Sequence, residues 1–298
     1  VLFVTHPKAF CGVYEYGVKA FEAIRHSKAF RFLHVECNSL AALKNEIARN
    51  KPAFVIYNYH PSVMPWLCTR VSKGIYRNQV HDLPVIQIGI IHEVTQEVAN
   101  RATRYRNRFI LGGSEKKLNS LFDYYIAPDP TLLLENPFVF KTGRLIPTYK
   151  NQLPEPELFT VGSFGFATPN KGFHLLIDRV QAEMDEAVIR LNIPFASFGD
   201  ADGNNARAIA HQCKEKIHKK GIQLQVTHDF LDDAALLEFL SGNSINVFLY
   251  EGGVGRGLSS VLDYALAVHR PIAVSDNPMF RHVLNREPSI CVAHASLK

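Results

Sequence analysis

The sequence predicts an α/β protein made of two doubly wound parallel-sheet domains. Short, near-continuous runs of Val, Ile, Leu and Phe alternate along it with amphipathic stretches, as expected for parallel strands buried on both faces and joined by helices. Its 298 residues are about two domains' worth. A seam rich in proline and polar residues, from Ile146-Pro147 through Pro154-Glu155-Pro156-Glu157, lies at mid-chain, where proline blocks helix and the polar residues join no core. The expected domains are 1–150 and 151–298.

In the first half, strands are expected at 1–5, 32–36, 53–57, 85–91, more weakly 109–111, and 124–127. Helices are expected at 13–24 and 40–48. In the second half, strands are expected at 158–163, 195–198, 223–226, 245–250, 271–275 and 290–293. Helices there are expected at 171–187, 206–219, 234–240 and 258–268. Ligands of such folds sit at the carboxyl ends of the strands, here expected to face an interdomain cleft.

Composition narrows the class. With 47% hydrophobic and 20% charged residues the chain is neither disordered nor fibrous. Five scattered cysteines (Cys11, Cys37, Cys68, Cys213, Cys291), odd in number and without C-x-x-C spacing, predict reduced thiols, a cytoplasmic setting and no structural zinc. No apolar run of ~18 residues is available to span a bilayer. The opening VLFVTH reads as a strand rather than a secretory leader, although the missing initiator Met leaves an excised segment open. Residues 1–150 carry 20 Lys+Arg against 11 Asp+Glu, and residues 151–298 carry 13 against 17. The basic half suggests an anionic partner.

Four strand-to-loop junctions hold the candidate chemistry. His6-Pro-Lys-Ala-Phe-Cys-Gly12 precedes a helix, where Gly12 serves either a tight turn or a backbone approach to phosphate or sugar; no G-x-G-x-x-G is present. Ile90-Ile91-His92-Glu93 ends a buried strand in a polar pair, either facing a cleft or capping the next helix. In Val161-Gly-Ser-Phe-Gly through Lys171-Gly172, a lysine at a helix start opposes the helix dipole, a conflict that a bound phosphate resolves. The fourth junction is Tyr250-Glu-Gly-Gly-Val-Gly-Arg-Gly-Leu-Ser-Ser260. It sets glycines, Arg256, Ser259 and Ser260 after a buried strand, suiting a diphosphate, with Glu251 placed to accept sugar hydroxyls.

The "KG" after a Gly-rich strand, "E…GRGLSS…ALA…RPIAVSD" and "PMFRHV" resemble the GT-B glycosyltransferases, specifically the large retaining nucleotide-sugar family 4, over essentially the whole chain. The resemblance implies two Rossmann-like domains. It implies Lys171 gripping the donor diphosphate and Glu251 on the hexose hydroxyls. Arg256, Gly257, Leu258, Ser259 and Ser260 would run along the diphosphate and sugar. Gly12 would face the phosphate, His92 would touch the transferred sugar, and Asp229-Phe230-Leu231 would lie beside the nucleobase. Two positions depart from the family pattern. Eight residues after Glu251 stands Ser259, and alignment through "ALA" puts Tyr264, next to Asp263, where a second glutamate is expected. No arginine precedes the "KG" lysine. The closing helix that usually returns to the first domain is also not evident.

Other features take plainer readings. Asp200-Ala-Asp202 precedes Gly-Asn-Asn and reads as a turn, so metal is not expected, and no cofactor beyond the nucleotide-sugar substrate. Tyr59 and His60 stand at a strand end and, with Glu93, suit an acceptor side, while Trp66 reads as core. Arg101, Arg104 and Arg108 would share one helix face, with Arg106 and Lys116-Lys117 nearby, giving either a solvated face or a contact with anionic lipid at the cytoplasmic membrane face. No recognition motif for nucleic acid accompanies them. The expected activity is metal-independent transfer of a sugar to a glycan or lipid-linked acceptor. The alternatives are a non-catalytic nucleotide-sugar binder of the same fold and a two-domain free-sugar binder.

Overall fold

The computed structural model describes residues 1–102, 106–111, 120–151, 153–168, 170–197, 199–252, 256–284, 286–293 and 295–297, apart from the side chains of Val98 and Leu111. The chain divides into two compact units, Val1–Leu145 with Gly255–Gly257, and Ile146–Val254 with Leu258–Lys298. The main division falls at 145/146 rather than 150/151, just ahead of the prolines.

The first unit runs β1 (Leu2–Thr5), α1 (Gly12–Ile24), β2 (Leu33–Glu36), α2 (Leu40–Asn50), β3 (Phe54–Tyr59), β4 (Cys68–Ser72), β5 (Ile75–Asn78), β6 (Ile86–Ile91), α3 (Gln96–Arg101), β7 (Phe109–Leu111), β8 (Tyr124–Ala127) and β9 (Val139–Lys141). Six strands form a parallel sheet in the order β2-β1-β3-β6-β8-β9. All four residues of β1 are buried, as a central strand covered on both faces requires. The core is aromatic: Phe122 stacks on Tyr57 at 5.1 Å and meets Tyr59 edge-on at 5.5 Å. Gly89 on β6 makes room for that ring, since a Cβ there would lie 2.3 Å from it.

Three parts of the first unit differ from expectation. β4, β5 and β9 are additional strands. β7 leaves the main sheet and completes a three-stranded antiparallel sheet, β4-β5-β7. The hairpin turn is made by Gly74 at φ +74, and its polar strands lack the continuous apolar run of a buried parallel strand. The basic stretch is not one helical face: α3 ends at Arg101 and Arg108 leads into β7, while Arg104, Lys116 and Lys117 lie outside the described residues. Arg106 turns inward, pairing with Asp123 at 3.1 Å and donating to the Leu83 carbonyl at 3.0 Å.

The second unit runs β10 (Thr160–Phe164), α4 (Phe173–Glu183), β11 (Ala187–Asn192), α5 (Asn204–Glu215), β12 (Ile222–Thr227), α6 (Asp233–Ser241), β13 (Ile245–Phe248), α7 (Val261–Ala267), β14 (Ile272–Val274) and β15 (Ser289–Cys291). Its six strands are parallel in the order β12-β11-β10-β13-β14-β15. Numbered within the unit this is 3-2-1-4-5-6, the doubly wound order, with its switch point between β10 and β13. One strand was misplaced by the sequence. The helix expected to reach residue 187 stops at Glu183, and Ala187–Asn192 is the strand, with five of six residues buried. At 195–198, Ala196 keeps only an isolated bridge to Asp200. The Asp200 carboxylate caps α5, accepting from the backbone N–H of Asn205 at 2.8 Å and Ala206 at 2.9 Å.

Candidate functional site

In the second unit the loops after β10 and β13 leave adjacent strands at the switch point. Gly172, at φ +65, is the joint between them: a Cβ there would stand 1.7 Å from the Leu249 carbonyl oxygen, so only glycine lets α4 start so close to the end of β13. Lys171 precedes it. Its Nζ donates to the Tyr250 hydroxyl at 2.5 Å and lies 4.0 Å from that ring's centroid. The same hydroxyl receives Ser259 Oγ at 3.3 Å. The loop carrying Tyr250 is pinned from behind, since its carbonyl accepts from Ser275 Oγ at 2.7 Å and the Gly252 carbonyl accepts from Asn277 Nδ2 at 2.6 Å.

Glu251 follows with its backbone N–H donating to the Asn170 carbonyl at 2.9 Å. Its half-exposed carboxylate stands 3.7 Å from His174 Nε2. Leu258 is buried, and Ser259 and Ser260 precede α7 rather than forming its first turn. Phe230 stacks against Phe166 with centroids 6.2 Å apart. Tyr264 donates its hydroxyl to Asp233 at 2.9 Å. The centre of the Gly-rich segment, 253–255, lies outside the described residues.

In the first unit the loop after β1 is braced by side chains. Cys11 caps α1 by accepting from the Tyr14 N–H at 3.4 Å, and its Sγ lies 3.2 Å from His6 Nε2. Glu36 accepts from the Tyr14 hydroxyl at 2.7 Å and from the Lys8 N–H at 3.2 Å. This holds Gly12 at the opening of α1, with open space where a side chain would be.

After β6, His92 Nε2 lies 2.7 Å from Asn58 Oδ1, and its ring meets Tyr16 edge-on at 4.8 Å. Because Asn58 Nδ2 already donates to the Val13 carbonyl at 2.6 Å, its Oδ1 is the acceptor and His92 carries its proton on Nε2. Burial first, and then the neighbouring His60 and Arg144, holds the His92 pKa down to about 3, so the imidazole is neutral. Glu93 pairs with Arg256 at 2.7 Å and stands 3.9 Å from His60. Its carboxyl is held below its ordinary range by the neighbouring His60 first and then by the Arg256 guanidinium. Gly257 lies against the same turn, where a Cβ would come within 1.8 Å of the His92 carbonyl oxygen.

One expected acceptor-side residue is displaced: Tyr59 is 1% exposed and belongs to the aromatic core, because β3 extends through it. Two residues at the second-unit cluster were not anticipated, Tyr250 and His174. Tyr250 reads as an ordinary strand-end aromatic and His174 as a helix residue. Only the strand order brings them beside Lys171 and Glu251.

No protein-family model matches the chain, and no curated protein matches it. Solved structures do. Anabaena Alr3699/HepE in complex with UDP and glucose is similar over 97% of this chain and 84% of its own, at 10% identity and a TM-score of 0.61. An alpha-glucosyltransferase in complex with UDP and a 13-mer DNA is similar over 92% and 78%, at 13% identity and TM-score 0.52. The lipopolysaccharide outer core galactosyltransferase WaaB is similar over 93% and 80%, at 9% identity and TM-score 0.50. At these identities the likeness is one of fold, the two-sheet α/β architecture of GT-B proteins.

Proposed function

We propose that the chain is a glycosyltransferase that takes its sugar from a nucleoside diphosphate sugar. The observation that carries this reading is the junction at the β10/β13 switch point, where Lys171, Tyr250, Ser259 and Glu251 collect in one doubly wound unit. The solved structures of similar fold include proteins bound to UDP, which supports a nucleotide ligand of this kind. In this reading the Lys171 ammonium takes the negative charge that builds on the departing diphosphate, the role a preorganised cation fills best. Glu251 accepts hydrogen bonds from sugar hydroxyls, and Phe230 stands beside the base. On the first unit, Gly12 offers backbone N–H groups at the start of α1, Arg256 offers a guanidinium, and neutral His92 orients the sugar.

The finer reading follows the resemblance of the motifs: family 4, a hexosyl donor, retention of configuration, no metal, and a glycan or lipid-linked acceptor met by His60 and Glu93 in the cytoplasm. A panel of nucleoside diphosphates and their sugars, with and without magnesium, tests it. One nucleotide series should raise the melting temperature independently of magnesium, and a labelled donor of that series should pass its sugar to an acceptor. No thermal shift with any nucleotide overturns the reading.

A second reading is a non-catalytic nucleotide-sugar binder. It is favoured by Tyr264, which stands where a glutamate is expected and spends its hydroxyl on Asp233. Binding without transfer or hydrolysis would select it.

A further inference from the structure

We propose that Asn58 is a positioning residue that fixes which ring nitrogen His92 offers to a ligand and ties that ring to the opening of α1. Asn58 is fully buried near the end of β3 and bridges two other elements. Its Nδ2 donates to the Val13 carbonyl in the first turn of α1 at 2.6 Å, and its Oδ1 accepts from His92 Nε2 at 2.7 Å. The reverse orientation of the amide would set Oδ1 against the Val13 carbonyl, two acceptors facing each other. Gly17 brings α1 close against the same amide, since a Cβ there would stand 2.4 Å from Asn58 Nδ2.

With its Nε2 proton given to Asn58, the neutral imidazole keeps only a lone pair on Nδ1. Nδ1 makes no hydrogen bond among the described residues, and the ring is partly exposed. Around the ring, His60, Arg144 and His6 add to burial in favouring the neutral form, and Glu93 opposes them.

A lone pair at that place accepts the proton of a sugar hydroxyl. It repels the oxygens of an ionised phosphate or carboxylate, which have no proton to give. The anion is left to the backbone N–H groups at the start of α1. Asn58 thus separates hydroxyl from oxyanion at two neighbouring places and holds both with one side chain. What Nδ1 accepts rests on the glycosyltransferase reading; the fixed tautomer does not.

The test is heteronuclear NMR of the full chain labelled at histidine, with His92→Gln identifying the signals. The parent should show Nε2 protonated, Nδ1 bare and an Nε2 proton slow to exchange, unchanged between pH 8 and pH 5. N58D sets a carboxylate against the ring, so His92 should gain charge within that window. If N58D does not fold, N58A replaces it, and the Nε2 proton should then exchange about two- to tenfold faster, the worth of one hydrogen bond. UDP-glucose should move the Nδ1 resonance further than UDP alone does. A parent His92 protonated on Nδ1 overturns the proposal. So does an Nε2 proton that the Asn58 variants leave unchanged, or bound UDP-glucose that leaves Nδ1 where UDP leaves it. If neither nucleotide binds, the transferase reading loses its support, while the Nε2 proton still decides for or against Asn58.

Discussion

The Lys171 ammonium stands 2.5 Å from the Tyr250 hydroxyl, held over the ring it caps. A lysine next to a helix start, opposed by the helix dipole, is thus steadied by an aromatic from the loop after the neighbouring strand. Lys171→Ala should weaken nucleoside diphosphate binding by about 1.5–3 kcal/mol, the range for hydrogen bonds to charged groups. Tyr250→Phe removes only the orienting hydroxyl and should cost about 0.5–1.5 kcal/mol. Calorimetric titration of both variants checks the order. An unchanged Kd for Lys171→Ala would take the lysine out of the site.

Arg256 and Glu93 give effects of opposite sign. Arg256→Ala should lower nucleotide affinity by about 1.5–3 kcal/mol. Glu93→Gln releases the guanidinium from a partly exposed pair of ~0–1 kcal/mol and should tighten binding by up to about fivefold. If both variants bind like the parent, Arg256 takes no part in nucleotide binding.

Gly172→Ala places a side chain at φ +65 and against the Leu249 carbonyl. The strained backbone alone costs about 1–3 kcal/mol. Thermal melting should show a drop of several degrees, at roughly 2–4 °C per kcal/mol. A melting temperature equal to the parent's would contradict the close approach of α4 to β13.

His92 predicts an acid-side loss of stability. Its folded pKa of about 3 lies below the unfolded value of 6.5. The contribution is therefore complete above pH 6.5 and lost as pH falls from there towards 3, at up to about 1.4 kcal/mol per pH unit. His6 and His34, also lowered by burial, act with the same sign. Urea denaturation from pH 7.5 to 5 should show the slope, and His92→Gln should flatten it. An identical slope in that variant would place the titration elsewhere.

Asp200→Ala removes the carboxylate that accepts two N–H groups at the start of α5 and should destabilise by about 0.5–2 kcal/mol. Denaturation midpoints measure this. An equal midpoint would mean that the cap is redundant.

Most of the parallel strands were legible because a strand buried on both faces must be apolar throughout, as LFVT and INVF are. Ala187–Asn192 was missed because an apolar run directly after an amphipathic helix reads as that helix continued. Arg190 in its middle strengthens the illusion, although the structure places it over Phe239. The β4–β5 hairpin was missed because one of its faces is polar and short, so its apolar positions are too few to show a period. Glu251 and His92 announced themselves as polar groups just after apolar strands, and Lys171 as a cation at a helix start. Tyr250 and His174 carry no such mark, and Tyr59 carried a false one, because a strand's last residue can point either way.

The sequence by itself determined the alternation of strand and helix, the mid-chain seam and the loops that hold the charged and glycine residues. These follow from local rules of burial period, proline and glycine, which act within a few residues. The tertiary structure alone decided which loops meet. Lys171 and Tyr250 are 79 residues apart in sequence, and they touch because β10 and β13 are neighbours in the strand order. It also decided that Phe109 faces solvent beside Arg77, since strand register is set by pairing with a distant segment and a slip of one residue would bury it.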